Sequence, residues 1–151
     1  MNDWRDDAVI YHLFPLGLCG APRANDADAE PVERLKSIYG WIDHIRDSGF
    51  NTILFGPVFE SSTHGYDVTD YFKIDRRLGT VDTFRSLARE LLRNGIRIVL
   101  DAVFHHTGRN FHGFRDLLDN GPGSPFREWF CGIDYSRKSP LGDPFYYETW
   151  K

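Results

Sequence analysis

The sequence predicts an α/β fold built on a parallel sheet. Three short runs rich in β-branched and aromatic residues, 8–14, Thr52–Phe55 and 96–104, are each typical of a buried strand. Segments with apolar residues at helical spacing separate these runs, whose first residues lie a little over 40 positions apart. Strand, helix, strand, helix, strand at this spacing indicates βαβ units with right-handed crossovers.

The first strand ends at Pro15, and residues 17–31 are expected to form a loop because they are rich in Gly, Pro, Asn and Asp. An amphipathic helix follows, with Pro31 in its first position and Gly49 at its C-terminal cap. Its apolar residues are Val32, Leu35, Ile38, Tyr39, Ile42 and Ile45.

The second strand opens into a segment, 56–80, that is expected to be a long polar loop. A second helix begins at Thr80 or Asp82 and ends at Gly95. After the third strand the pattern changes to two short helical pieces, 111–118 and 125–130, and no fourth strand is predicted.

Composition narrows the possible partners. The chain has 151 residues, enough for one domain with a real core. Its net charge of −4 gives no field that would gather nucleic acid or anionic lipid, and no apolar run approaches membrane-spanning length. The acidic N-terminus does not resemble a secretory signal, and Cys19 and Cys131 have no metal or redox spacing, so a cytoplasmic location with reduced thiols is expected.

Polar and aromatic side chains cluster where the second and third strands end. They are His64, Tyr66, Asp67, Asp101, His105 and His106. Ligands of parallel sheets collect outside the carboxyl ends of the strands. Because a sugar ring requires an aromatic plate surrounded by fixed polar groups, this set predicts a sugar site.

Other interpretations of these residues remain open at this point. Tyr66 and Tyr71 are also consistent with aromatics packed on the rim of the fold, and Asp101 with a buried carboxylate paired with an arginine. Several of the side chains are possible metal ligands, namely His64, Asp101, His105, His106 and His112. Adjacent His105 and His106 would point to opposite faces if the third strand continues through them, which disfavours a shared ion.

Taken together, several motifs resemble the α-amylase family of glycoside hydrolases and transglycosylases. They are AVIYHLFP, GFNTILFGPVFESSTHGYDVTDYFKIDRRLGT and GIRIVLDAVFHHTG, followed more loosely by FREWF and DPFYYETW. The GYD form of the second motif resembles oligosaccharide-acting members such as α-glucosidases and cyclomaltodextrinases. The resemblance implies the first half of a catalytic (β/α)8 barrel in residues 1–106, and the start of the subdomain inserted after strand 3 in residues 107–151.

The resemblance also implies roles for individual side chains. Tyr66 would stack on the sugar just before the scissile bond, and His106 would bind its hydroxymethyl side. Asp101 would organise the site, with Asp67 and His64 close to the same sugar. The family usually has asparagine at position 105, where it often helps to bind structural calcium, so His105 argues against calcium, and no cofactor is predicted.

The implied activity is double displacement at α-glucosidic bonds of maltodextrin-like oligosaccharides, with retention. The family's nucleophile and acid/base lie on later strands, so this chain is expected to be inactive alone and to self-associate through unpaired strand edges. The alternative from another class is a non-catalytic carbohydrate-binding or assembly half-barrel. A metal-dependent hydrolase built on the histidines is a third hypothesis.

Overall fold

A computed structural model describes residues 3–149, so residues 1, 2, 150 and 151, at the outer ends of the two predicted units, lie outside the described residues. The strands are β1 Ile10–Leu13, β2 Thr52–Phe55, β3 Phe59–Ser61, β4 Val68–Ile74 and β5 Arg97–Leu100. The α-helices are α1 Pro15–Leu18, α2 Ile42–Asp47, α3 Val81–Arg93 and α4 His112–Asn120, and 3-10 turns form at Arg34–Trp41, Gly121–Gly123 and Arg127–Trp129. None of the helices in residues 3–149 is long and apolar enough to span a membrane.

A three-stranded parallel sheet forms the centre of the fold, in the order β1-β2-β5. Leu13 pairs with Phe55, and Phe55 pairs with Leu100, so the three carboxyl ends are level. The predicted parallel βαβ arrangement is confirmed, and β2 has the predicted bounds. The third strand is shorter than the predicted 96–104, because its partner β2 ends at Phe55 and the last bond runs from the Asp101 N–H to the Phe55 carbonyl, 2.8 Å.

One face of this sheet is covered by helices and the other is not. Ile53 and Phe55 on the covered face are fully buried, whereas Ile10 on the opposite face is 49% exposed. The buried apolar cluster on the covered side consists of Leu13, Leu16, Leu35, Ile38, Ile42, Ile45, Ile53, Phe55, Val58, Leu78, Leu87, Leu91 and Ile96. Side chains alternate across a strand, so this apolar cluster lies on one side of the sheet.

The predicted continuous helix after Pro31 is wrong in its first half. A 3-10 segment, Arg34–Trp41, precedes the short helix α2. The Val32 N–H donates to the Arg76 carbonyl, 2.8 Å, and the Leu35 N–H donates to the Leu78 carbonyl, 3.0 Å. In an α-helix that began at Pro31, the Leu35 N–H would donate to the Pro31 carbonyl. Its bond to Leu78 replaces that contact, and Pro31 stays outside the helix.

Helix α3 agrees closely with the prediction. The Thr80 hydroxyl accepts from the Thr83 N–H, and the Thr83 hydroxyl accepts from the Thr80 N–H, both at 3.2 Å. Thr80 is therefore the N-cap of a capping box, and Asp82 lies inside the first turn. The predicted terminators Gly49 and Gly95 have φ values of +85° and +75°, which an L side chain rarely adopts.

The segment predicted as a long polar loop contains the antiparallel hairpin β3–β4. The prediction missed it because β3 has only three residues, the pairing is irregular in register, and both strands contain charged residues. A buried ion pair closes the base of the hairpin, where Arg77 binds Asp75 at 2.7 Å with side chains 5% and 0% exposed. The same guanidinium donates to the carbonyls of Pro22, Arg23 and Thr63, and so joins the hairpin to the segment after α1.

Residues 107–149 pack around a smaller core of their own. Its buried members are Phe111, Phe114, Leu117, Phe145 and Tyr147. Helix α4 corresponds to the predicted piece 111–118, whereas 125–130 contains only the 3-10 turn Arg127–Trp129. In the irregular chain that follows, an isolated antiparallel β-bridge pairs Asp134 with Tyr146.

Candidate functional site

The candidate site is built at the level carboxyl ends of β2 and β5, beneath the turn that joins β3 to β4. Gly65 in that turn has a φ of +93°, and a Cβ there would lie 2.9 Å from Pro57. Only glycine fits this bend without strain. The bend brings His64, Tyr66 and Asp67 together on one short stretch of chain.

His64, Tyr66 and Asp67 are held by contacts within the turn. The Tyr66 N–H donates to the Nδ1 of His64, 3.2 Å. The same nitrogen lies 3.7 Å from Oδ1 of Asp67.

Asp67 is positioned by a threonine. The Thr63 hydroxyl donates to Oδ2 of Asp67, 2.7 Å, and the Thr63 carbonyl accepts from the buried Arg77, 2.6 Å. The other carboxylate oxygen, Oδ1, is buried and has no hydrogen-bond partner among the described residues. A buried acceptor without a donor is costly, which makes Oδ1 available to a hydroxyl group of a ligand.

Tyr66, in the turn between β3 and β4, lies beside Asp101, which directly follows β5. Burial raises the pKa of Tyr66, and the neighbouring Asp101 carboxylate raises it further, so the phenol stays protonated and can donate to Asp101. The alternative that Asp101 pairs with an arginine is not supported, since the arginine ion pairs within residues 3–149 involve other carboxylates. Tyr66 is 37% exposed and presents an aromatic surface beside a carboxylate.

Tyr71 behaves differently from Tyr66. Its ring packs against Phe59, Phe104 and Phe111, with centroids 6.1, 5.7 and 5.9 Å away. The packing interpretation therefore fits Tyr71, whereas Tyr66 is open to a ligand.

His105 and His106 lie beyond the end of β5, in irregular chain. Their rings touch, with Nδ1 of His106 2.9 Å from Nε2 of His105 and centroids 4.4 Å apart. The condition under which they were expected to point to opposite faces is not met, because the strand ends at Leu100.

Residues 3–149 contain no set of ligands for the metal-site alternative. Within residues 3–149 no group of three or more His, Cys, Asp and Glu side chains is placed to hold an ion. His112 packs among aromatic rings instead, with centroids 4.4 Å from Phe111 and 5.3 Å from Phe126.

Gly108 is a site residue that the sequence analysis missed. Its N–H donates to the Val68 carbonyl, 2.8 Å, and a Cβ added to it would lie 2.4 Å from the Asp67 carbonyl oxygen. The segment after β5 therefore docks directly on the hairpin that carries Asp67. The glycine directly after His-His-Thr was the available signal, since an isolated glycine indicates close backbone approach.

This arrangement can bind a polyhydroxylated ring. An aromatic surface and a carboxylate, those of Tyr66 and Asp101, lie side by side at the edge of the sheet where parallel folds bind ligands, with His64 and Asp67 in the same turn as Tyr66. Such a set accepts hydrogen bonds from sugar hydroxyls and stacks on an apolar ring face.

Comparisons with known proteins identify the family of the chain. The family model of the α-amylase catalytic domain matches residues 21–151. A cyclomaltodextrinase from Bacillus sp. is 36% identical over 141 residues, 84% of this chain and 25% of the relative. The intracellular maltogenic amylase of Bacillus subtilis (strain 168) is 40% identical over 142 residues, 85% of this chain and 24% of the relative.

Solved structures show the same fold. The cyclic α-maltosyl-(1→6)-maltose hydrolase of Arthrobacter globiformis, in complex with that sugar, aligns with a TM-score of 0.72 at 38% identity, over 85% of this chain and 32% of that one. An acarbose-soaked debranching enzyme from Nostoc punctiforme aligns with a TM-score of 0.73 at 32% identity, over 91% and 33%. The chain spans about a quarter of the length of the curated relatives that it matches. By the family model and by these likenesses, the chain belongs to the α-amylase family of glycoside hydrolases.

Proposed function

We propose that these residues serve a protein that cleaves, or transfers, α-glucosidic bonds of maltodextrin-like oligosaccharides with retention of configuration. The observation that carries the proposal is the contact of Tyr66, 37% exposed in the turn between β3 and β4, with Asp101 at the carboxyl end of β5. Relatives named cyclomaltodextrinase and maltogenic amylase support an α-glucan substrate.

In this proposal each site residue has one task. Tyr66 stacks on a glucose ring, while the open Oδ1 of Asp67 accepts from one of its hydroxyls. Asp101 orients the Tyr66 phenol instead of attacking the sugar, and His64 orients the turn through its bond to the Tyr66 N–H. His106 binds the hydroxymethyl side.

The chain supplies binding residues and not the reacting pair. In the proposal residues 1–106 are the first three strands of a (β/α)8 barrel and the two helices that connect them. Residues 107–151 begin the inserted subdomain. A retaining glycosidase requires two carboxyl groups about 5 to 5.5 Å apart, one as nucleophile and one as acid/base. The family carries both on later strands, so the 151-residue chain alone binds sugar without turning it over.

Titration of acarbose tests the sugar site. Tyr66→Ala removes the stacking surface and is expected to weaken binding at least about tenfold, the equivalent of ~1.4 kcal/mol. Tyr39→Ala is the matched control, because Tyr39 is equally exposed at 37% but lies on the 3-10 segment outside the site. Equal losses in both variants, or unchanged binding in Tyr66→Ala, would refute the assignment.

A second function, a non-catalytic sugar-binding assembly module, is favoured by the uncovered sheet face. Strands β1 and β5 are the outer strands of the sheet, and Ile10 on the open face is 49% exposed. Unpaired strand edges and exposed apolar residues promote association, so we propose that the isolated chain self-associates. Light scattering across a range of concentrations tests this, and a monodisperse monomer would count against it.

A further inference from the structure

The segment that follows β5 carries two proposed site residues on chain without regular structure. Its last sheet contact is the bond from the Asp101 N–H to the Phe55 carbonyl, 2.8 Å. The next backbone contact, from the Gly108 N–H to the Val68 carbonyl, is also 2.8 Å. Among the described residues no backbone-to-backbone hydrogen bond anchors the chain between these two points.

The Tyr71 hydroxyl occupies this gap. It lies 2.6 Å from the Val103 carbonyl oxygen and 3.2 Å from the His106 carbonyl oxygen. One donor therefore bridges two backbone positions, of which the second belongs to a site residue. Burial raises the pKa of Tyr71, so the hydroxyl keeps its proton throughout the neutral range.

The Tyr71 ring is held independently of its hydroxyl. Phe59 and Phe111 contact it at centroid distances of 6.1 and 5.9 Å, and Tyr71 directly follows Asp70 of β4, which pairs with Glu60 of β3. A phenylalanine at this position would keep the ring contacts and lose only the hydrogen bonds. The contribution of the hydroxyl can therefore be measured separately from that of the ring packing.

We propose that Tyr71 is a positioning residue, whose hydroxyl sets the backbone at Val103 and His106 and thereby directs the His106 side chain toward the sugar. The inference rests on the proposed function, since it assigns to Tyr71 the geometry of one arm of that site. The hydroxyl adds a link between β4 and this segment to the backbone bond from Gly108 and the ring contact of Phe104 with Tyr71, 5.7 Å.

Tyr71→Phe in the 151-residue chain tests the proposal with two readouts. Amide hydrogen exchange of Gly108, whose N–H is bonded to the Val68 carbonyl, and exchange at the imidazole C2 carbon of His106 follow the segment by mass spectrometry. Both are expected to accelerate about fivefold, the effect of losing one net hydrogen bond. Acarbose binding is expected to weaken by a similar factor.

Tyr147→Phe is the matched control. The Tyr147 hydroxyl donates to the Asp143 carboxylate at the same 2.6 Å, so this variant loses a comparable bond without touching the two carbonyls. It is expected to leave exchange at His106 unchanged. Unchanged exchange in Tyr71→Phe, or equal acceleration in both variants, would overturn the proposal. If the segment loosens only in Tyr71→Phe but the unmutated chain binds no acarbose, the positioning inference stands and the sugar function fails.

Discussion

The sheet region, residues 10–100, and the segment 107–149 are stabilised in different ways. The sheet region has thirteen buried apolar residues in one cluster beneath regular strands and helices. The later segment has a cluster of five buried residues, four of them aromatic, and little regular structure apart from α4. Regular elements satisfy their own backbone groups, so their side chains can be purely apolar, whereas irregular chain requires polar side chains to satisfy its backbone.

Each region contains an aspartate–arginine pair, and the two pairs show the same contrast. Asp75 and Arg77 are 0% and 5% exposed and close the hairpin, whereas Asp143 and Arg109 are 12% and 46% exposed. Removing one partner of a buried pair leaves an uncompensated charge, while solvent screens the loss in an exposed pair. Substitutions in the two regions should therefore differ in size.

The largest effect is expected from Asp75→Ala. It leaves the Arg77 guanidinium buried without its carboxylate, which costs about 3–5 kcal/mol of unfolding free energy. Urea denaturation measures the loss. The matched control is Arg85→Ala, because the Arg85–Asp82 pair is 64% and 89% exposed and should contribute less than about 1 kcal/mol. Similar losses in the two variants would contradict the contrast between buried and exposed pairs.

An intermediate effect is expected at the contact between the regions. Gly108→Ala places a Cβ 2.4 Å from the Asp67 carbonyl oxygen, and the backbone must move at a cost of about 1–3 kcal/mol. Thermal unfolding and acarbose titration should both change. Gly123→Ala is the control, since a Cβ there meets nothing within 4 Å and the backbone is not left-handed. A neutral Gly108→Ala would show that the two regions are not in close contact.

The smallest effect is expected from acid, through Asp143 in the segment 107–149. Arg109, with help from Tyr147 and Ser139, holds the pKa of Asp143 well below its usual range. A carboxylate whose pKa is lowered by folding stabilises the fold above its unfolded pKa of 3.8. This stabilisation is lost as the pH falls below that value toward the folded-state pKa. We expect about 1 kcal/mol to be lost on acidification below pH ~4.

Hydrogen exchange resolved by region measures this acid effect. Residues 107–149 should loosen at a higher pH than the sheet region, and Asp143→Asn should make the effect smaller. Simultaneous loosening of both regions in the unmutated chain would remove the distinction between them.

Much of the sheet region was predictable because its signals are local. Strand β2 has the predicted bounds, and Thr80, Gly49 and Gly95 mark the helix ends they were expected to mark. Hydrophobic periodicity and capping depend on residues within a few positions of each other, so one sequence suffices to detect them. The motifs around Tyr66 and Asp101 likewise identified the family.

Two of the errors involve contacts between distant positions. The 3-10 segment at Arg34–Trp41 depends on carbonyls of Arg76 and Leu78, and Arg77 at the base of the hairpin β3–β4 donates to the carbonyls of Pro22 and Arg23. Local propensity contains no information about such partners, and tertiary contacts override it where they are strong.

By itself the sequence determined the order of the three strands of the parallel sheet and the family. Only the tertiary structure decided how the side chains of the candidate site are held: that Tyr66 interacts with Asp101, that Tyr71 bonds to the backbone at His106, and that Gly108 docks on Asp67. The physical reason is that side-chain type and periodicity are properties of neighbouring residues, whereas hydrogen bonds across 30 or more positions exist only once the chain has closed around its core.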